Sequence, residues 1–409
     1  MKILFLTDNF APESNAPAIR THEHTRSWVE MGHEVTVITC VPNFPAGVVF
    51  EGYRNRLFQR EVIDGVHVIR VWTYITRNEG FLKRTLDYVS YMLSAIIASL
   101  FVARPDVVIA TSPQFFTTIG GWVVSCLKWR PFVFELRDLW PETVLAVGAM
   151  QGNAILDAFE GLAHFLYRRA NLIIPVTQTF AERLVELGIP KERIEVVTNG
   201  IDPDDIRIER SQREVRETYG IPQDAFSVGY IGTLGMCHGL STLLEGAQTL
   251  LGDDRFHFVV MGDGADRDEL IEILERDELS NVTLIDRQPR LEALAVLNAI
   301  DASLVMLRSA PVFETVIPSK IFEAMALEKP ILLGVRGEAY RIVVEETGSG
   351  LAFTPEDSVG MVARMKELRE SPELQRTLGQ RGQRAVRERY RRTALAEKLI
   401  GFVERNLAR

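Results

Sequence analysis

Cysteine is nearly absent from this chain: Cys40, Cys126 and Cys237 are the only three in 409 residues. Their number is odd and their spacing fits neither a disulfide framework nor a metal cluster, so a reducing, cytoplasmic setting is expected. No excess of positive charge is present either. Lys and Arg total 46 against 55 Asp and Glu, a net charge of −9, which argues against a nucleic-acid partner. The deficit is uneven: residues 1–200 carry 19 basic and 20 acidic side chains, and the remainder carries 27 and 35. The near-neutral first half could approach an anionic membrane, whereas the second half would be repelled by one. Met1-Lys2 leads directly into an apolar strand, so no signal peptide is expected. No Asp-x-Asp pair stands at a strand end where it could hold a divalent ion, and Asp204-Asp205 reads as a solvated pair in a linker.

What is there is an alternation of apolar runs and helical patterns. Ile3–Thr7 and Glu34–Thr39 read as strands, separated by a loop at 8–17 and a helix from about Ala18 to Met31 that Gly32 stops. Continuous apolar strands spaced by helices indicate a parallel sheet covered on both faces. The pattern continues at Val66–Val71, Asp106–Ala110, Pro131–Leu136, Asn171–Val176 and Ile194–Thr198. A polar stretch, Asn199–Gln223, reads as a linker plus one helix. The alternation then restarts at Phe226–Ile231, Phe256–Met261, Val282–Ile285, Ala302–Leu307, Ile331–Val335 and Leu351–Phe353. The expectation is an α/β chain of two tandem doubly wound domains, 1–203 and 204–387. The tail from Ser371 is helical and charged, and its last part, about 388–409, can pack back on the first domain. Ligands of such sheets bind beyond the carboxyl ends of the strands.

The stretch Tyr88–Ala103 carries no charge, with Lys83-Arg84 before it and Arg104 after it. It is shorter than the ~20 apolar residues that span a bilayer, and Ser90, Ser94 and Ser99 interrupt it. A buried helix packed on the sheet and a helix dipping into a bilayer surface both fit.

The most informative stretch is Ile317-Pro318-Ser319-Lys320-Ile321-Phe322-Glu323-Ala324-Met325-Ala326, closed by Pro330 and the apolar run 331–333. It predicts a loop, a short helix and a buried strand, because Pro330 forbids the helix from continuing. Ile321, Phe322, Met325 and Ala326 make one apolar stripe, and Lys320 and Glu323 stand off it one turn apart. A cation beside free helix amides, with a carboxylate one turn on, can hold phosphates and sugar hydroxyls. A surface ion pair worth little is the plain alternative. Glycine-rich turns follow two strands of the same domain: Gly232-Thr233-Leu234-Gly235, running on through His238, and Gly262-Asp263-Gly264. Arg287 follows the third. Such turns let a backbone approach a phosphate closely.

Taken together, the tandem domains, the Pro-Ser-Lys-x-x-Glu-Ala-Met-Ala helix and Asn199-Gly200-Ile201-Asp202 at the junction resemble the family 4 retaining glycosyltransferases of GT-B fold, over essentially the whole length. Asn15-Ala16-Pro17-Ala18-x-Arg20, Pro42-Asn43-Phe44-Pro45-x-Gly47 and Arg137-Asp138-Leu139-Trp140-Pro141-Glu142 are similar to one branch, the N-acetyl-L-fucosamine transferases of bacterial O-antigen and capsule assembly. The resemblance implies a central cleft between the domains and assigns Glu323 to the nucleotide ribose. Thr315 stands where the family has a first glutamate, with Glu314 one position out of register. Thr233 and His238 replace the Arg and Lys that many members carry for the diphosphate, which leaves Lys320 and Arg287 as cations. Arg137-Asp138 corresponds to the family's His-Asp pattern. Asp138 is then a sugar-hydroxyl anchor or a carboxylate near the reacting carbon, or else a helix cap or partner of Arg137. Asn15, Ala16 and Arg20 border the acceptor or the diphosphate.

The expected activity is metal-independent transfer of an N-acetylated deoxyhexose from a nucleoside diphosphate, UDP by resemblance, to a lipid-linked saccharide such as a polyprenyl diphosphate. Asp138, Lys320 and Glu323 are the expected catalytic residues, with Pro318, Ser319, Gly262, Asp263 and Gly264 in the donor site. Weak peripheral association with the inner membrane is expected alongside. An epimerase of the same fold would need a general acid/base pair, and the sequence offers carboxylates and His238. A non-catalytic sugar-nucleotide binder is the other rival, favoured by the missing first glutamate and opposed by intact Lys320 and Glu323.

Overall fold

The computed structural model describes residues 1–44, 46–76, 81–139 and 154–407. Pro45 and the Trp140-Pro141-Glu142 part of the motif lie outside the described residues. The chain divides into two compact units, Met1–Thr198 with Arg392–Arg409, and Asn199–Arg391.

The first unit is built on seven strands: β1 (Lys2–Leu6), β2 (Glu34–Cys40), β3 (Phe58–Ile63), β4 (Val66–Val71), β5 (Val107–Thr111), β6 (Phe132–Leu136) and β7 (Leu172–Pro175). Their order is β3-β4-β2-β1-β5-β6-β7. All are parallel except β3, which runs antiparallel to β4. Ile3 to Leu6 of the central β1 are fully buried, as a strand covered on both faces requires. The covering helices are α1 (Ala16–Glu30), α2 (Phe81–Ser99), α3 (Phe115–Lys128), α4 (Ala154–Arg169) and α5 (Gln178–Glu186).

Two features differ from the sequence reading. Strand β3 was not expected: it turns into β4 through Asp64 and Gly65, both at positive φ, a two-residue hairpin. Ile194–Thr198 was expected as a strand and is none; a single bridge joins Ile194 to Ile173. Val197 N–H reaches the Pro175 carbonyl at 3.0 Å, but Pro175 has no N–H to return, so the ladder stops. The C-terminal helix Arg392–Leu407 lies in this unit, where Trp28 Nε1 donates to the Ala396 carbonyl at 2.9 Å. Leu395, Leu399 and Phe402 share one apolar cluster with Trp28 and Val35.

The second unit has six parallel strands, β8 (Phe226–Ile231), β9 (Phe256–Gly262), β10 (Val282–Asp286), β11 (Ala302–Met306), β12 (Ile331–Gly334) and β13 (Gly350–Ala352), ordered β10-β9-β8-β11-β12-β13. Its helices include α6 (Gln212–Tyr219), α7 (Leu240–Thr249), α8 (Arg267–Arg276), α9 (Arg290–Ala299) and α10 (Lys320–Ala326), then α11 (Ser358–Glu370) and α12 (Pro372–Arg389). The apolar stripe of α10 is buried as expected, with Ile321, Phe322 and Met325 at 1% exposure or less and Ala326 at 6%. Phe322 stacks at 5.0 Å on Tyr390, just past α12, which fixes the roll of α10 and hence where its polar side chains stand.

Candidate active site

In the second unit the two glycine turns are one structure. Gly232 N–H donates to Met261 O and Leu234 N–H to Asp263 O, at 2.9 and 3.0 Å. The backbones approach so closely that a Cβ on Gly262 would stand 1.8 Å from Gly232 O, and one on Gly264 would stand 2.1 Å from Leu234 O. These two glycines are therefore required by loop-on-loop packing, which corrects the expectation that phosphate approach explains them. Asp263 Oδ1 accepts from Gly264 N–H at 2.8 Å, and its side chain is exposed. Thr233 is exposed, and its carbonyl accepts from the Tyr230 hydroxyl at 2.7 Å. Gly235 is under no close contact.

Helix α10 begins at Lys320, two residues past Pro318. Ile321 N–H to Pro318 O (3.1 Å) and Phe322 N–H to Ser319 O (3.1 Å) form a tight first turn. Lys320 does not pair with Glu323. Its Nζ sits 3.6 Å above the Tyr230 ring centroid and packs on Gly232, where a Cβ would be 2.8 Å from it. That ammonium is buried and makes no hydrogen bond among the described residues. Burial, opposed by Glu323 and Cys237, lowers its pKa to about 7. His238 also packs against Tyr230, 5.7 Å between ring centroids and tilted by 58°. Burial first and the Lys320 charge second lower its pKa to about 4, so it is neutral at physiological pH. A cation–π contact offsets only part of the cost of an unpaired buried ammonium.

Glu323 faces a residue the sequence reading missed: Arg290 Nε, at the start of α9, is 4.0 Å from its Oε1. Arg287 stands in the exposed turn before α9. The signal was a second arginine three positions on, at the N-terminus of a helix. Glu314 and Thr315 form part of the short helical turn Pro311–Thr315. Thr315 donates its hydroxyl to Val312 O at 2.8 Å, and Glu314 is exposed.

In the first unit, Asn15 caps α1, accepting from Ala18 N–H at 2.9 Å, and Ala16 is exposed in the first turn. Arg20 overturns expectation. It is buried, with Nε on Glu135 (2.8 Å) and its other nitrogens on the Thr198 (2.6 Å) and Val197 (2.9 Å) carbonyls. It is a structural clamp because Glu135, on buried β6, needs a cation. Burial raises the Glu135 pKa, but Arg20 and Arg137 outweigh it and hold it at about 2. Arg137 and Asp138 follow β6 and are oriented by their backbone amides, which donate to Ser112 Oγ at 2.7 and 3.2 Å. Burial lowers the Arg137 pKa to about 10. Among the described residues, Arg137 Nη1 and Gln114 Nε2, past the ends of neighbouring β6 and β5, are buried donors that make no hydrogen bond. Gln114 carried no sequence signal. Among the described residues no group of three or more His, Cys, Asp or Glu side chains is gathered as a metal site needs.

Residues 15–200 match the family model described as a glycosyl transferase 4-like domain, and residues 211–385 match glycosyl transferases group 1. A protein of Escherichia coli K12 named as a colanic acid biosynthesis glycosyl transferase, WcaI, is 24% identical over 384 residues, covering 90% of this chain and 92% of its own. LpsD of Rhizobium meliloti, named for lipopolysaccharide core biosynthesis, is 24% identical over 69% of this chain and 80% of its own. Among solved structures, sucrose-phosphate synthase of Thermosynechococcus elongatus superposes with a TM-score of 0.77 at 16% identity, over 99% of both chains. HepE of Anabaena, in complex with UDP and glucose, gives 0.73 at 18% identity over 99% of both. The two family models, which together span residues 15–200 and 211–385, and two Rossmann-like sheets in tandem make this chain a family 4 glycosyltransferase of GT-B fold.

Proposed function

We propose that the enzyme transfers a sugar, with retention, from a UDP-linked donor to a lipid-linked saccharide in the assembly of a cell-surface polysaccharide. The buried, unpaired ammonium of Lys320 carries the donor half of this reading. A diphosphate placed beside it would favour its charged form and restore its full charge. As the bond to the sugar breaks, the leaving diphosphate gains charge, and a fixed cation in a water-poor pocket stabilises that change. Glu323 is assigned the ribose hydroxyls, with Arg290 orienting its carboxylate. Neutral His238 and the backbone N–H groups of Thr233 and Gly235 can hydrogen-bond the diphosphate or the sugar, and Arg287, Glu314 and Thr315 border that site.

In the first unit, Arg137, Gln114 and Asp138 are assigned to the transferred sugar, and Asn15 and Ala16 to the acceptor. An N-acetylated 6-deoxyhexose such as N-acetyl-L-fucosamine is the proposed sugar, on the Asn15–Arg20, Pro42–Gly47 and Arg137–Glu142 motifs. The names of WcaI and LpsD support a surface-polysaccharide setting, and the UDP in HepE supports the nucleotide. A lipid-linked acceptor would place the enzyme at the inner face of the membrane, and no described helix is long and apolar enough to cross it. The test is incubation with UDP-, GDP- and dTDP-sugars and a polyprenyl-diphosphate saccharide, scored for transfer, hydrolysis and isomerisation. Transfer from a UDP-sugar is expected; isomerisation without transfer would overturn the reading.

A further inference from the structure

Helix α2 is apolar on both sides. Tyr91, Ala95 and Ala98 are buried against the sheet. Leu82, Leu86, Leu93, Ile97, Leu100 and Phe101 follow one another at helical spacing along the opposite face and are exposed, Leu82 by 76% and Phe101 by 67%. Soluble surfaces rarely leave so long an apolar stripe open. The stripe continues onto the hairpin, where Phe101 meets Phe58 edge-on at 6.2 Å and Leu57 and Val62 are also exposed. At its far end Trp129 is 83% exposed.

Among the described residues, exposed cations flank the stripe at both ends. Lys83 and Arg84 are exposed at the start of α2. Arg60 lies 5.2 Å over the Phe58 ring. Arg104 donates to the carbonyls of Lys128 (3.1 Å) and Trp129 (3.4 Å). The acid within α2, Asp87, is turned to the body of the domain, accepting from the Thr73 hydroxyl at 2.8 Å. Glu61 pairs with Arg70, and Asp106 accepts from Lys2 N–H at 2.7 Å.

We propose that this open face of α2, with Phe58, Phe101 and Trp129, is a docking surface for an anionic lipid bilayer. The helix, about 28 Å long, would lie in the interface plane with its stripe among the acyl chains and its cations at the headgroups. A second copy of the chain is a poor occupant. Pairing α2 with itself sets Lys83 and Arg84 against Arg104 in one direction and like against like in the other. The surface owes its purpose to the lipid-linked acceptor proposed above, but it can be tested without any transfer.

The experiment is flotation of the full chain with vesicles containing phosphatidylglycerol, and with pure phosphatidylcholine vesicles, at low and high salt. Recovery with the anionic vesicles at low salt, weakened by salt, is expected. Each exposed cation contributes about fivefold to partitioning, so Lys83→Glu/Arg84→Glu should lower it at least tenfold. Leu93→Glu/Ile97→Glu should abolish it. Both pairs are exposed, so circular dichroism and UDP affinity should not change, which keeps a failure here distinct from a failure of the donor site. No flotation of the parent chain, or flotation of either variant equal to the parent's, would overturn the proposal. So would a dimer, seen by sedimentation velocity, that Leu93→Glu/Ile97→Glu dissolves while the parent chain fails to float.

Discussion

Lys320 should make donor binding proton-linked. Burial holds its pKa at about 7 instead of the ordinary 10.5, which corresponds to about 5 kcal/mol of lost preference for the charged form. A diphosphate beside Nζ favours that form, so binding raises the pKa and draws in a proton. With the bound value well above the assay range, uptake should be about 0.9 proton per nucleotide at about pH 8, about half at pH 7 and about 0.1 at pH 6. Affinity should fall about tenfold per pH unit above the free pKa. The assay is calorimetry with UDP-N-acetylglucosamine, whose diester phosphates carry no titrating proton in this range, in buffers of differing ionisation enthalpy. Lys320→Met should remove both the proton uptake and the pH dependence. If the heat of binding is the same in every buffer at about pH 8 while affinity stays flat, the ammonium is not waiting for the diphosphate.

Glu323→Ala should weaken nucleotide binding about tenfold or more, since a charge-assisted contact is worth about 1.5–3 kcal/mol. Arg290→Ala should do less, measured on the same calorimeter. Transfer should survive EDTA; complete loss restored only by Mg²⁺ or Mn²⁺ would mean that a metal holds the diphosphate. Glu13 is buried, which raises its pKa from 4.5 to about 7 even though the Phe44 and Asn43 amides favour its charge. The native state then keeps a proton that the unfolded state has lost, so stability is full below pH 4.5 and falls by about 3 kcal/mol as pH rises through 7. Glu13→Gln keeps an acceptor for both amides. It should raise the melting temperature at about pH 8 and not at about pH 4, as calorimetric scans would show.

Strands buried on both faces are legible because their apolar runs leave no other placement, and both sheets were read that way. β3 was not, because Phe58-Gln-Arg-Glu-Val-Ile mixes polar residues into an exposed edge strand; its turn, Asp64-Gly65, was the available signal. The pairing of Lys320 with Tyr230 is a contact across 90 positions of sequence, and no local pattern encodes it. What the motif showed was only that Lys320 and Glu323 leave the apolar stripe of α10. Arg20 was misread for the same reason. It follows a motif at a helix start, but its role is set by Glu135, an acid inside an otherwise apolar strand that needs a buried cation wherever one can reach. An acid in such a run is the cue that would have moved Arg20 from the acceptor to the core.

The most direct test of the account is the stereochemistry of the product. A UDP-sugar of the N-acetyl-deoxyhexose class and a polyprenyl-diphosphate saccharide would be incubated with the enzyme and the new linkage read by proton NMR at the anomeric position. The account predicts a glycoside with the anomeric configuration of the donor. A product of inverted configuration, or an isomerised sugar nucleotide with no glycoside at all, would contradict it.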